Sequence, residues 1–228
     1  MSLWIKICAN TSLEDASLAV DAGADAVGFV FAPSPRRVTV AQVAVIVPQL
    51  PTHVEKIGVF VDAGLDEIEE TVRASGLTGM QLHSDMGPNV PAQLRKRVGP
   101  EFRILRVVHF GPIAEIEAAA LAQDPNIDAI LVDSRTATTV GGTGIAFDWQ
   151  QARDTVFRDA GQRRARMVVA GGLTPANVAE AIATLKPWGV DVVSGVEAAP
   201  GRKDATKVRD FIANARAALL HQQNEGLK

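Results

Sequence analysis

One cysteine, Cys8, in 228 residues rules out an intramolecular disulfide and any cysteine-based zinc cluster. A basic surplus is missing as well. The formal net charge is -3 and the pI near 5.8, with no basic stripe of the kind a nucleic acid or anionic membrane surface attracts. Arg163, Arg164 and Arg166 form the densest basic cluster, which reads as a solvated loop ahead of an apolar strand. No apolar run approaches the ~20 residues that would span a bilayer. The stretch Met1–Lys6 lacks the basic region and long apolar core of a signal peptide, so the expected compartment is the cytoplasm. No segment rich in proline, glycine or serine divides the chain. No paired set of aspartates and histidines suggests a metal, and no cofactor is expected.

What is present is a repeating pattern. The chain is 47% hydrophobic and 21% charged, enough apolar material for a sizeable core. Short apolar runs of strand length alternate with stretches of helical periodicity. The runs are Leu3–Ile7, Ala26–Phe31, Lys56–Val61, Met80–Leu82, Arg103–Val108, Ile130–Val132, Arg166–Ala170 and Asp191–Val193. Helices are expected over Leu13–Ala22, Val40–Val47, Leu65–Ala74, Pro91–Val98, Ile113–Leu121, Trp149–Phe157, Pro175–Leu185 and Ala205 to about Leu220, with His221–Lys228 as a frayed tail. Asn10, Thr11 and Ser12 offer N-caps to the first helix, whose opening turn holds Glu14 and Asp15. Strands alternating with helices imply parallel pairing. Eight such units in a chain under about 250 residues point to a single (β/α)8 barrel domain over residues 1–228 rather than an open doubly wound sheet.

In such a barrel, chemistry sits at the C-terminal ends of the strands and on the loops that follow. Those ends carry Cys8, Arg36 or Arg37, Asp62, His83, His109, Asp133, Gly171-Gly172 and Ser194-Gly195. Asp133 ends a buried strand and is followed by a loop closing on Gly141, Gly142, Thr143 and Gly144. Gly171-Gly172 and Ser194-Gly195 lie on consecutive loops, where small residues leave backbone N–H groups open to a phosphate; Gly142 could close over the same end. Cys8 is read either as a small buried hydrophobe or as a base or nucleophile. A thiolate on the first strand and a carboxylic acid on the sixth, facing each other across a sugar, could move one proton off carbon and another onto oxygen, which suits an isomerase. His83 and His109 read as structural before acid–base. Alternation along the first strand is taken to point Lys6 away from Cys8.

The residues Lys6-Ile7-Cys8, Asp25–Phe31, Ser34-Pro35-Arg36, Gln81-Leu82-His83, Gly141–Gly144 with Phe147-Asp148-Trp149, Ala170–Val178 and Ser194–Glu197 together resemble the phosphoribosylanthranilate isomerases of tryptophan biosynthesis. The resemblance runs from the first strand to the last helix, including Pro200-Gly201 and Lys203-Asp204. It implies an Amadori rearrangement of N-(5-phosphoribosyl)anthranilate, a small phosphorylated substrate, with no metal or organic cofactor. Asp133 then matches the general acid, Cys8 the general base, and the arginine of Ser-Pro-Arg the group on the anthranilate carboxylate. Arg36 is first by motif, with Arg37 beside it. Glu197, Lys203 and Asp204 read as structural residues. The acid has to meet the substrate protonated and the thiol ionised, so both need environments that shift them.

Three departures from the family stand out. Ala9 replaces the usual glycine after the cysteine, Val193 replaces a serine before Ser194, and Ser84 replaces a glycine after Gln-Leu-His. Rival readings are weaker. A ribulose-phosphate epimerase usually needs a metal set, and an indole-glycerol-phosphate synthase needs a lysine at a strand end, whereas Lys6 and Lys56 begin or precede strands. A module that binds phosphate without turnover would have little use for both Cys8 and Asp133. An exposed helix face could pair two copies, but barrels of this size also stand alone, so monomer or homodimer is the expectation.

Overall fold

The computed structural model describes residues 3–83, 87, 89–134 and 147–225, and in it eight strands close into one parallel barrel in sequence order. The units are β1 (Trp4–Ile7) and α1 (Leu13–Asp21), β2 (Ala26–Val30) and α2 (Val40–Ile46), β3 (Glu55–Phe60) and α3 (Leu65–Ser75), β4 (Gly79–Leu82) and α4 (Val90–Val98). There follow β5 (Arg103–His109) and α5 (Ala114–Leu121), β6 (Ala129–Asp133) and α6 (Trp149–Asp154), β7 (Arg166–Val169) and α7 (Val178–Leu185), then β8 (Gly189–Val192). A two-stranded antiparallel ribbon, β9 (Glu197–Ala199) and β10 (Arg202–Lys203), precedes α8 (Ala205–Glu225). The (β/α)8 reading therefore holds. The barrel is closed by β1 on β8, with Trp4 opposite Gly189 and Ile7 opposite Val192.

Local chemistry explains the elements. Ser12 caps α1 by accepting from the Asp15 amide, and Thr39 and Gln42 form a reciprocal capping box at α2. Gly76 ends α3 in the left-handed conformation that a side chain would disfavour. In α7 the buried residues Val178, Ala181, Ile182 and Leu185 fall on one stripe, and in α8 Val208, Phe211, Ile212 and Ala215 do the same.

Strand alternation sorts the core into two parts. Ile5, Ile7, Val27, Phe29, Met80, Leu82, Ile104, Ile130, Val132 and Val190 face the helices in one large cluster. Trp4, Ala26, Ile57, Leu105, Val107, Ala129, Leu131, Val168 and Ala170 fill the barrel itself. At the N-terminal end of the barrel Trp4 stacks on Trp188 at 5.1 Å, Arg166 and Arg103 lie over the Trp188 ring, and Glu55 pairs with Arg103 at 2.6 Å. That end is plugged, so the opposite end is the one left for chemistry.

Element ends differ from expectation by a few residues, and two features at the C-terminal side stand out. α8 continues to Glu225 instead of fraying from His221, in keeping with the helix-forming Gln222, Gln223 and Glu225. The β9–β10 ribbon was not legible, because two- and three-residue strands carry too little periodicity to recognise. Phe211→Ala should lower stability by about 3–5 kcal/mol, since the ring is fully buried where α8 seals the barrel. Urea unfolding followed by circular dichroism measures this; a loss under about 1 kcal/mol would mean that α8 is not anchored there.

Candidate active site

Cys8 follows β1 directly, and its amide donates to the Val192 carbonyl at 2.9 Å, which extends the β1–β8 ladder by one residue. It is buried, on the same face of the strand as Trp4 and Lys6. Its space is made by Gly28 on β2. A Cβ at Gly28 would stand 2.4 Å from the Cys8 Sγ and 3.0 Å from the Lys6 Cε. Beyond Cys8, Ala9 adopts φ 61, the left-handed conformation that explains a glycine preference there and costs an alanine about 1 kcal/mol. Asn10 ties the turn down, donating from its side chain to the carbonyls of Ile7 and Gly28.

The expectation that Lys6 points away from Cys8 is wrong. Residues two apart on a strand share a face. Lys6 is wholly buried inside the barrel, where its Nζ donates to Asp191 Oδ1 at 2.8 Å and to Gln81 Oε1 at 2.9 Å. Burial pushes the Cys8 thiol above its ordinary range. The charge of Lys6 pulls it down, that of Asp191 pushes it up, and hydrogen bonding to Lys6 and the charge of Lys203 pull it down again, with burial prevailing. For Lys6 itself burial works against the ammonium, yet Asp191 and Cys8 outweigh it and hold its titration above the usual lysine value.

Asp133 closes β6, buried, with its carbonyl accepting from the Phe110 amide. It pairs in register with His109 on β5. Gly171, at φ 80, packs on it so closely that a Cβ would meet Asp133 Oδ1 at 2.6 Å and Ser134 Oγ at 2.2 Å. Gly172 is also left-handed, at φ 67. The amides of Gly171 and Gly172 make no hydrogen bond among the described residues. The next loop is pressed against this one: a Cβ on Gly195 would stand 1.9 Å from the Leu173 carbonyl oxygen, so Ser194 and Gly195 reach the same rim only because position 195 is glycine. Gly142, with the whole Gly141–Gly144 loop, and Ser84 lie outside the described residues.

His83 and His109 face each other at the mouth, ring centroids 6.1 Å apart. Gln81 Nε2 lies 2.9 Å from His83 Nε2, and since the Gln81 oxygen already accepts from Lys6, its nitrogen is the donor in that contact. His109 Nδ1 is buried with no hydrogen-bond partner among the described residues. Among the described residues no group of three or more His, Cys, Asp or Glu side chains is placed to hold a metal ion, and no described helix is long and apolar enough to cross a membrane.

Arg36 is engaged by a carboxylate of the protein itself. Its guanidinium forks onto Glu197, Nε to Oε1 at 2.8 Å and Nη2 to Oε2 at 2.7 Å. Glu197 also accepts from the Gly201 amide and lies 3.6 Å from the Lys203 Nζ, which in turn donates to the Cys8 carbonyl at 2.6 Å. Arg37, next in the loop, is exposed. Lys6, Gln81, Asp191, Glu197, Lys203 and Gly28 thus belong to the surroundings of the site. The Lys6–Cys8 and Gln81–His83 spacings of two could have revealed part of this set; nothing in the sequence tied Glu197 to Arg36.

Comparison with known proteins is consistent along the chain. Residues 5–214 match the family model described as N-(5'phosphoribosyl)anthranilate (PRA) isomerase. A protein of Trichlorobacter lovleyi named N-(5'-phosphoribosyl)anthranilate isomerase is 44% identical over 216 residues, 94% of this chain and 98% of that one. The crystal structure of phosphoribosyl anthranilate isomerase from Thermus thermophilus superposes with a TM-score of 0.81 at 33% identity, covering 95% of this chain and 100% of that one. A phosphoribosyl anthranilate isomerase in complex with reduced 1-(o-carboxyphenylamino)-1-deoxyribulose 5-phosphate gives a TM-score of 0.77 at 34% identity, covering 94% and 99%.

Glu197 gives a test by pH. Burial raises its carboxyl, but the Arg36 hydrogen bond, Lys203, the Gly201 amide and the Arg36 charge together hold it below the ordinary carboxylate range. A depressed carboxylate stabilises the fold above its unfolded titration and loses that contribution as pH falls through the folded one. Glu197→Gln should therefore be about 3–5 kcal/mol less stable than wild type at neutral pH. The gap should close progressively in acid below the usual carboxylate range; urea midpoints from pH 7 downward would record it, and a gap independent of pH would show that the charge of Glu197 is immaterial.

Proposed function

The chain belongs to the N-(5'-phosphoribosyl)anthranilate isomerase family, enzymes of tryptophan biosynthesis, and from that premise we propose how its own residues divide the chemistry. Asp133 is the general acid. It protonates the furanose ring oxygen, the bond from that oxygen to C1 breaks, and the anthranilate nitrogen forms an imine with C1. Cys8, as thiolate, then takes the proton from C2; those electrons form the C1–C2 double bond and the imine pair returns to nitrogen. The resulting enolamine loses its O2 proton and gains one at C1, giving 1-(2-carboxyphenylamino)-1-deoxyribulose 5-phosphate. The observation that supports this best is the placing of one buried thiol and one buried carboxyl at the open ends of β1 and β6, on a barrel whose other end is plugged.

The phosphate is assigned to Gly171, Gly172, Ser194 and Gly195, with Gly142 as a further contact from the loop after Asp133. Support comes from the uncommitted amides of Gly171 and Gly172 and from the tight seating of one loop on the other. For the anthranilate carboxylate the reading moves from Arg36 to Arg37. Arg36 is neutralised by a two-pronged bond to Glu197, whereas Arg37 extends from the same loop with its charge exposed. Arg36 then shapes the loop that presents its neighbour. The partner is this small phosphorylated molecule, and neither nucleic acid nor membrane enters the reading.

The direct test is turnover of freshly made phosphoribosylanthranilate, followed by loss of substrate fluorescence. Asp133→Asn and Cys8→Ser should each lower kcat by about 10²–10⁴-fold with little change in substrate binding. Wild-type turnover in either variant would eliminate that residue's role. Arg37→Ala should chiefly raise KM. If Arg36→Ala alone does so without loss of stability, the carboxylate belongs to Arg36.

A further inference from the structure

A thiol buried as deeply as Cys8 is a poor base by itself, because an anion in an apolar cavity is strongly disfavoured. Something must carry the opposite charge. The charged groups around it are Lys6 on its own strand, Asp191 on β8, Lys203 on β10 and Arg36 in the loop after β2, while His83, His109 and Asp133 stand round the same mouth. Two of the three cations are committed elsewhere. Lys203 is spent on the Cys8 and Val193 carbonyls and on Glu197, and Arg36 is forked onto Glu197.

Lys6 differs. An ammonium has three N–H donors, and among the described residues Asp191 and Gln81 take two of them, which leaves the third for a further partner. Its terminal methylene and the Cys8 sulfur both crowd the empty space above Gly28, at 3.0 and 2.4 Å from one point, so the two are no farther apart than the sum of those distances. Asp191, across the β1–β8 seam, and Gln81, from β4, hold the ammonium in place.

We propose that Lys6 is the counter-ion of the Cys8 thiolate, directing its third N–H at the sulfur, with Asp191 and Gln81 as the residues that position it. The proposal rests on the reading of Cys8 as the base. Lys6 acts through Cys8 and does not touch the substrate. When the thiolate takes the C2 proton it becomes a neutral thiol, while Lys6 stays protonated because Asp191 remains its partner. The cation is therefore present before and after transfer, and no second proton has to move. The same arrangement explains why a lysine two residues before the cysteine on the first strand is buried among apolar side chains, where an unpaired charge would not be tolerated.

The experiment exploits the single cysteine. The rate of Cys8 alkylation by iodoacetamide is measured against pH in the whole protein, beside the pH profile of kcat/KM. In Lys6→Met the alkylation midpoint and the acid limb of kcat/KM should both move up by about one pH unit or more, a ~tenfold loss at pH values below the limb. In Asp191→Asn both should move down, because the anion that offsets Lys6 is gone. Since Lys6→Met leaves Asp191 buried and unpaired, the double variant Lys6→Met/Asp191→Asn keeps the test available if the single one does not fold. It should still titrate above wild type, because the charge of Lys6 acts on the thiol more strongly than that of Asp191. Shifts of opposite sign support the proposal, because a merely loosened barrel would move both variants in the same direction. An unmoved midpoint in a folded variant lacking Lys6, or equal shifts in the two single variants, would overturn it. Full turnover by Cys8→Ser would instead remove the base assignment, and would leave the alkylation result standing as a statement about the thiol alone.

Discussion

The pairing of β1 with β8 is the contact on which the site depends. Until that seam closes, Lys6 and Asp191 are 185 residues apart and each would be an isolated charge. Closing it sets Lys6 opposite Asp191 in register, carries the ladder one residue further to Cys8, and leaves the thiol at the end of the sheet. Gln81 arrives on the same ammonium from β4, across the barrel, so three strands meet at one nitrogen. The barrel interior is apolar around this point, and a buried pair of this kind seldom contributes much net stability against its desolvation cost. Its presence makes better sense as a requirement of the thiol beside it.

A second buried network serves the same residue from outside the barrel. Arg36, Glu197 and Lys203 form a line from the loop after β2, through the small β9–β10 ribbon, to the carbonyl of Cys8. The ribbon thus acts as a brace. It fixes the peptide that follows β1, where Ala9 is held in a left-handed conformation that an unbraced alanine would leave. Two sets of charges therefore share one cysteine, one fixing its backbone and the other facing its sulfur. Asp133 is treated differently: it is hemmed in by Gly171, whose missing side chain makes the close approach possible.

The sequence alone carried a good deal of this. Alternating strand-length and helix-length segments determined the eight-fold unit, because buried parallel strands and one-sided helices leave periodicities of different length. Fold class then located the working end, and with it Cys8, Asp133, Gly171, Gly172, Ser194 and Gly195 as strand-end residues. That Ala9 departs from the glycine usual in the family came from the resemblance, and the left-handed backbone there supplies the reason for a glycine.

Tertiary structure decided what depends on partners distant in sequence. Arg36 and Arg37 are indistinguishable by residue type, and only the arrival of Glu197 from 161 residues away commits one of them. The alternation rule, correctly applied, places Lys6 on the side of Cys8, but its charge acquires meaning only from Asp191 and Gln81, which no local pattern connects to it. Periodicity records which face of an element is buried; it does not record what lies across the cavity. In a closed barrel the inward face of every strand looks at residues from strands far along the chain, and so the chemistry of the mouth is settled by closure.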